Sequence, residues 1–261
     1  MPGRSRYNDI RARRTERAYL SPEIERQREQ TLQALTPAPG EFLLDVGCGP
    51  GLLTRDLADA VGPDGFVLGL DLSASMLALA AERCAGIPHI ALTQSNATSL
   101  PVCSGAADAV TATQVLLYVE QPESALAEIR RVLRPGGRVA IVETDWQTAV
   151  VTAQDADLTR RLFGAWDAAV ASPRLPQRLQ PMLREAGFGD VRVHAVPVLS
   201  TRLDDEGYAG TMIAQCVASA AATGAASEDE LRIWREDVER RAETDEFLFC
   251  VNRFLFSAEC W

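Results

Sequence analysis

Lysine is absent from this sequence, and its absence excludes several kinds of chemistry. All 26 basic residues in the 261-residue chain are arginine. Schiff-base catalysis needs a lysine amine, and a Walker A loop needs a lysine to reach its phosphates. The lysine-dependent mechanism of short-chain dehydrogenases is excluded for the same reason.

Metal-binding side chains are scarce as well. His89 and His194 are the only histidines, and none of the six cysteines forms a C-x-x-C pair. Structural zinc and iron–sulfur sites are built from clusters of such residues, so we predict no metal site. Scattered cysteines are typical of a reducing compartment, and we therefore expect a cytoplasmic protein.

Long apolar runs and net positive charge are also missing. No apolar stretch reaches the length of a membrane span, and the N-terminus, Met-Pro-Gly-Arg, lacks the apolar core of a secretory signal. The net charge of −10 repels nucleic acid backbones. The first thirty residues carry eight arginines against five acidic residues, which we interpret as a solvated helix face. These features favour a small-molecule partner and leave the oligomeric state open.

Strands and helices alternate between residues 36 and 146. Apolar segments typical of buried strands occur at 41–46, 65–70, 89–94, 109–113 and 138–143. Helices are predicted at 52–61, 73–84 and 122–133, and a Pro135-Gly136-Gly137 turn precedes the fifth strand. This alternation predicts an α/β fold with a doubly wound parallel sheet, helices on both faces and ligands at the carboxyl ends of the strands.

The pattern changes after Trp146. Further helices are predicted at 155–171, at 177–186 and twice within 205–243, and strands at 190–199 and 247–256. We therefore predict seven strands, mostly parallel, with an antiparallel last strand. Residues 1–35 are predicted to form an N-terminal arm, loosely ordered to about residue 20 until something packs on it, and a cap helix. Residues 36–261 are predicted to form one Rossmann-like domain with a cap insert at about 200–245.

The segment from Asp45 to Gly51, DVGCGPG, follows the first strand and precedes a helix. Glycines permit the tight turn and let a ligand approach the backbone, and the helix presents free N–H groups to an anionic group. Asp45 could anchor an ammonium group. Asp71 ends the second strand, where an acid accepts hydrogen bonds from ribose hydroxyls. Position 52 is leucine, so the third glycine of the dinucleotide motif is missing.

Four segments together resemble the class I S-adenosylmethionine-dependent methyltransferases, and within them the group similar to ubiquinone and menaquinone biosynthesis methyltransferases. The resemblance covers roughly residues 20–145. It rests on LLDVGCGPG at 43–51, GLDLSASML at 69–77, ADAVTATQVLLY ending at Tyr118, and LRPGGRVAIVE at 133–143. It implies S-adenosylmethionine as the cofactor and methyl transfer by in-line displacement.

The resemblance also implies which residues bind the cofactor. Asp71 would bind the ribose, Leu72 and Met76 would contact adenine, and Asn96-Ala97 stands where the family usually has an acid for the adenine amine. Tyr19 is predicted to close over the cofactor when the N-terminal helix docks. The predicted cofactor-binding residues are Tyr19, Asp45, Gly47, Cys48, Gly49, Asp71, Leu72, Met76, Asn96, Ala97 and Gln114.

Candidates for catalysis follow from position along the chain. Glu143 and Asp145 are predicted to end the fifth strand on the rim beside the acceptor, and Tyr118 follows the fourth strand. Trp146, Phe163, Trp166, Tyr208 and Met212 suggest an apolar lid over a small hydrophobic acceptor, whose carbon, oxygen or nitrogen atom could be methylated. Two alternatives remain: a protein that binds S-adenosylmethionine without transferring methyl, and a nucleotide-cofactor oxidoreductase.

Overall fold

The first helix of the chain lies in the segment that we expected to be loosely ordered until something packs on it. The computed structural model describes residues 9–261, so the first eight residues of the predicted arm lie outside it. From Asp9 to Tyr19 the chain is helical, so the order that we expected only on packing is present there. Ala12 and Ala18 are buried, and Arg13 pairs with Glu82 across 3.0 Å. Packing against the helices Ala74–Arg83 and Tyr208–Thr223 therefore orders this arginine-rich segment.

Strands and helices then follow one another in the predicted order. The strands are β1 (Phe42–Val46), β2 (Phe66–Asp71), β3 (Ile90–Gln94), β4 (Ala107–Thr113), β5 (Leu133–Val151), β6 (Phe188–Ser200) and β7 (Phe249–Cys260). The helices are α1 (Asp9–Tyr19), α2 (Pro22–Leu35), α3 (Leu52–Val61), α4 (Ala74–Arg83), α5 (Pro122–Val132), α6 (Ala156–Ala169), α7 (Pro176–Glu185), α8 (Tyr208–Thr223) and α9 (Glu228–Glu243).

The seven strands form one sheet in the order β3-β2-β1-β4-β5-β7-β6. The first five strands pair in parallel, whereas β7 is antiparallel to both β5 and β6. This confirms the predicted α/β fold and its antiparallel last strand. The order reverses direction between β1 and β4, and α/β sheets bind ligands at such a switch point.

The fifth strand is much longer than its sequence suggested. It spans Leu133–Val151, so the predicted bounds of 138–143 are wrong at both ends. The physical reason lies in its two neighbours. Leu133 pairs with Ala107 of β4 before the register shifts, and β7 pairs with β5 from Arg138 to Asp145 and again at Val150 and Val151. Glu143 and Asp145 therefore lie within a strand that continues beyond them, and the expectation that they end it is wrong.

The helices of the predicted cap insert pack on other helices. α8 packs on α6 and on α1, and α9 packs on α8. α9 begins with the predicted capping box, in which Ser227 and Glu230 exchange hydrogen bonds. The predicted division of the chain into an arm, a domain and an insert stays a prediction. Within the fold, α2 packs on β5, β6 and β7. No described helix combines the length and apolarity that crossing a bilayer requires.

Candidate functional site

The glycine turn after β1 adopts a backbone that few other residues could adopt. Gly47, Gly49 and Gly51 have φ values of 71°, 53° and 76°. A Cβ atom on Gly47 would lie 2.2 Å from Val115 Cγ2, whereas one on Gly49 would meet no other atom within 4 Å. Gly47 is therefore fixed by close packing, and Gly49 faces open space that a ligand can enter.

Hydrogen bonds hold this turn against the end of β2. The N–H groups of Gly47 and Cys48 both donate to the carbonyl oxygen of Leu70, at 2.6 and 2.9 Å. Gly51 is the N-cap of α3, and no side chain caps that helix. An uncapped helix N-terminus keeps N–H groups available for an anionic group such as a carboxylate.

Asp71 joins the turn to the next helix. Its carboxylate accepts hydrogen bonds from the N–H groups of Gly49 at 2.9 Å and Ser73 at 2.7 Å. Burial raises the pKa of Asp71, and these backbone hydrogen bonds oppose that rise. The side chain is thereby fixed at the carboxyl end of β2 and still lines a cavity.

That cavity has a volume of about 420 Å³ and lies along the carboxyl ends of β1, β2 and β4. Nine of the eleven predicted cofactor residues line it: Tyr19, Gly47, Gly49, Asp71, Leu72, Met76, Asn96, Ala97 and Gln114. The cofactor site predicted from local motifs is therefore one continuous surface in the folded chain.

Asp45 and Cys48 do not line the cavity. The Asp45 carboxylate is buried and accepts a 2.6 Å hydrogen bond from the Thr54 hydroxyl. Burial raises the pKa of Asp45 to about 7. Cys48 is buried beside the turn, and burial raises the pKa of its thiol as well. Both side chains support the turn from behind, so their predicted direct contact with a cofactor is not supported by their positions.

Gln114 lines the cavity in a strained conformation. Its φ is 58°, a value that residues other than glycine rarely adopt. Its side-chain amide donates to the carbonyl oxygen of Val142 at 3.1 Å and accepts from the Thr144 hydroxyl at 2.5 Å. Two contacts to β5 therefore compensate the backbone strain and fix the cavity wall at the end of β4.

Of the three catalytic candidates, Tyr118 alone lines the cavity. Glu143 is fully buried, and its Oε1 accepts hydrogen bonds from the N–H groups of Val115 and Leu116 at 3.1 and 2.7 Å. Asp145 is buried and accepts a hydrogen bond from Gln177 at 2.9 Å. The expectation that both acids lie on the rim is wrong, because the strand continues past them and α2, α6 and α7 pack on it.

Burial also changes the acidity of Glu143. It raises the pKa of this carboxyl to about 8, although the hydrogen bonds from the 115–117 backbone and the charge of Arg253 act in the opposite direction. Glu143 thus fixes the short 3-10 turn of Leu116–Tyr118, which places Tyr118 in the cavity wall.

The five bulky residues predicted to form a lid belong to a packed cluster instead. All five are buried, with Trp146 and Trp166 in edge-to-face contact at 6.0 Å between ring centroids, and none of them lines the cavity. The cavity wall on this side is formed by Ala169, Val170 and Ala171 at the end of α6.

Sequence reasoning missed two kinds of residue at the site. Thr113, at the end of β4, lines the cavity, and its buried hydroxyl has no hydrogen-bond partner among residues 9–261. Small apolar side chains such as Leu100 and Val119 complete the wall. A threonine at the end of a parallel strand is a usable signal for the first; the second depends on tertiary packing.

Curated sequence relatives support a methyltransferase assignment. The methyltransferase domain family matches residues 44–141. An uncharacterised 37.1 kDa protein in transposon TN4556 of Streptomyces fradiae is 37% identical over 66% of this chain and 50% of its own length. The demethylmenaquinone methyltransferase of Shouchella clausii is 33% identical over 64% of this chain and 78% of its own length. The chain thus spans half the length of the first relative and most of the second.

Solved structures share the fold. A phosphoethanolamine N-methyltransferase from Haemonchus contortus, in complex with S-adenosyl-L-methionine, has a TM-score of 0.64 and 20% identity over 98% of this chain and 58% of its own. The [4+2]-cyclase SpnF has a TM-score of 0.56 and 25% identity over 90% of this chain and 80% of its own. The same architecture therefore occurs in proteins with different named activities.

Proposed function

The chain belongs to the class I S-adenosylmethionine-dependent methyltransferases, and we propose that it transfers the cofactor's methyl group to a small hydrophobic molecule. The observation that carries this proposal is the continuous cavity at the switch point of the sheet, walled by Gly47, Gly49 and Asp71. When bound, S-adenosylmethionine supplies an electrophilic methyl group on a sulfonium. The protein's part is to bind, orient and exclude water.

The residues present fit this cofactor. The open space at Gly49 and the uncapped start of α3 suit its amino-acid portion, and the fixed carboxylate of Asp71 suits its ribose. Leu72 and Met76 would contact the adenine, with the Asn96 side chain beside its amine. The unpartnered hydroxyl of Thr113 offers a further polar contact.

Positioning would supply most of the rate enhancement. Methyl transfer requires the acceptor atom in line with the carbon–sulfur bond, and well-oriented reactants gain several orders of magnitude in rate. Tyr118 lines the cavity and can exchange a hydrogen bond with the acceptor, so it remains our catalytic candidate. Glu143 acts through the backbone of the turn that carries Tyr118, and we assign it a positioning role.

Calorimetric titration of the full chain with S-adenosylmethionine and S-adenosylhomocysteine tests the cofactor site. Asp71→Ala should weaken both ligands about 10- to 100-fold, because charge-assisted hydrogen bonds to the ribose are lost. Asp64→Ala removes an exposed aspartate from the turn before β2, at the opposite end of that strand, and should leave the affinity unchanged. Absence of heat with the wild type, or an unchanged affinity in Asp71→Ala, would contradict the proposal.

A second candidate function is suggested by the 25% identity to the [4+2]-cyclase over 90% of this chain. In this alternative the chain binds S-adenosylmethionine and holds an organic substrate without transferring methyl. Incubation with candidate acceptors, followed by measurement of S-adenosylhomocysteine, separates the two functions. A product with the mass of the acceptor and no S-adenosylhomocysteine would favour the alternative.

A cytoplasmic location remains part of our proposal, supported by free cysteines throughout the described chain.

A further inference from the structure

Helix α1 packs against the cofactor side of the cavity. Ala12 of α1 forms a small buried cluster with Met76 and Leu79 of α4, and Met76 also lines the cavity. Tyr19, the last residue of α1, lines the cavity as well. The N-terminal helix therefore contributes directly to the wall of the cofactor site.

A largely buried ion pair connects this helix to the glycine turn. Arg83, the last residue of α4, pairs through Nη2 with Glu16 Oε1 of α1 across 2.5 Å. Its Nε donates a 3.0 Å hydrogen bond to the carbonyl oxygen of Pro50, which lies between Gly49 and Gly51 in the turn. One guanidinium thus joins α1, α4 and the turn that we assign to the amino-acid portion of the cofactor.

The low exposure of this pair distinguishes it from a second pair between the same helices. The side chains of Arg83 and Glu16 are 19% and 14% exposed. Arg13 and Glu82 also join α1 to α4, but their side chains are 52% and 62% exposed. Exposed ion pairs contribute little, whereas removing one partner of a buried, hydrogen-bonded pair is costly. The pair of Glu16 with Arg83 therefore carries most of the polar connection between the two helices.

The glycine turn needs contacts from outside to keep its shape. Gly49 and Gly51 have positive φ values, and glycine loses more conformational freedom on folding than any other residue. Pro50 has no N–H group, so its carbonyl oxygen is its only polar backbone group. The guanidinium of Arg83 anchors that oxygen, and Glu16 orients the guanidinium from the side of α1.

We propose that Arg83 is a positioning residue for the cofactor site, and that its pair with Glu16 couples the docking of α1 to cofactor binding. The proposal rests on the proposed function and describes how that same site is controlled. Coupling between two sites is reciprocal. If docked α1 holds the turn in the form that binds the cofactor, the bound cofactor must in turn hold α1 more firmly.

Calorimetric titration with S-adenosylhomocysteine measures the effect of α1 on the cofactor site. Arg83→Met should weaken binding about tenfold, because the turn loses its anchor, and Glu16→Gln should weaken it about threefold or more, because the anchor loses its orientation. The double variant should bind no more weakly than Arg83→Met, since Glu16 acts through Arg83. Glu82→Gln, which breaks the exposed pair between the same helices, should keep the wild-type affinity.

Hydrogen exchange measures the effect of the cofactor on α1. In the wild type, the amides of residues 9–19 should exchange at least about threefold more slowly with S-adenosylhomocysteine bound. Those of α9, which does not line the cavity, should not change. In Arg83→Met, at saturating ligand, the gain in protection of α1 should fall by at least about half. A merely structural pair would lower the protection of α1 with and without ligand and leave the gain unchanged.

The proposal is overturned if Arg83→Met and Glu16→Gln bind S-adenosylhomocysteine as the wild type does, if their effects on affinity add, or if the ligand leaves exchange in α1 unchanged. Each of these results can occur with normal binding by the wild type, in which case the proposed function stands. Absence of binding by the wild type contradicts the proposed function itself, and the coupling with it. Should Arg83→Met fail to fold, Glu16→Gln, which keeps the size of the side chain, decides by the same two measurements.

Discussion

The buried carboxyl of Glu143 makes the stability of the fold depend on pH. Its pKa is raised from 4.5 to about 8 in the folded chain. The folded chain therefore keeps a proton that the unfolded chain releases above pH 4.5. The free energy of unfolding should fall as pH rises through this window and level off above about pH 8.

The size of the effect follows from the shift. One pKa unit corresponds to about 1.4 kcal/mol, so the shift of Glu143 corresponds to about 5 kcal/mol over the whole window. About 3 to 4 kcal/mol of this should appear between about pH 5 and about pH 8. Asp45, whose pKa is raised to about 7, changes stability in the same direction, so the contribution of Glu143 must be isolated by substitution.

Glu143→Gln removes the titration and keeps the geometry. The amide oxygen can still accept hydrogen bonds from Val115 and Leu116. Urea unfolding of both proteins across the pH range gives the difference in free energy of unfolding. We expect similar stabilities near pH 5 and a variant that is more stable by about 3 to 4 kcal/mol near pH 8. Glu29→Gln, an exposed substitution in α2, should leave the pH dependence unchanged.

A constant difference between wild type and Glu143→Gln across this range would refute the reasoning. It would mean that Glu143 is ionised in the fold and serves as the counter-charge of Arg253.

Three further predictions concern glycines. Gly47→Ala should destabilise the fold by about 2 kcal/mol or more and weaken cofactor binding, because φ is 71° and the new Cβ would lie 2.2 Å from Val115 Cγ2. Gly49→Ala has no such clash, so urea unfolding should show a loss of only about 1 kcal/mol in the free energy of unfolding. Gly164→Ala in α6 should raise the free energy of unfolding by about 0.5–1 kcal/mol, since its Cβ would enter open space. A loss of stability in that variant would contradict the helical geometry assigned to α6.

Local sequence patterns predicted the elements that build the cofactor side of the site. The turn at 45–51 and the acid at position 71 are each fixed by neighbours a few residues away or by one strand–helix unit. Such units carry their own signals in glycine spacing, capping residues and apolar periodicity. This explains why nine of the eleven predicted cofactor residues lie on one cavity.

The catalytic side was predicted poorly because it depends on contacts between distant segments. β5 continues past Glu143 and Asp145 because it pairs with β7, and helices from distant segments pack on it, so both acids lie in the interior and not on the expected rim. No local sequence pattern near Glu143 indicates that the strand beside it comes from the end of the chain. The prediction of a lid is wrong for a similar reason, because bulky apolar residues at helical spacing fit a packed core as well as a ligand cavity.

The sequence alone determined the order of strands and helices, the glycine turn and the acid that follows it, because each depends on short-range sterics and periodicity. Tertiary structure alone decided which charges are buried and what they face. Arg253 donates a hydrogen bond to Gln27, which lies 226 residues away in the chain. The free energy of burying this arginine depends on the low dielectric of an interior that only the assembled sheet and cap helices create.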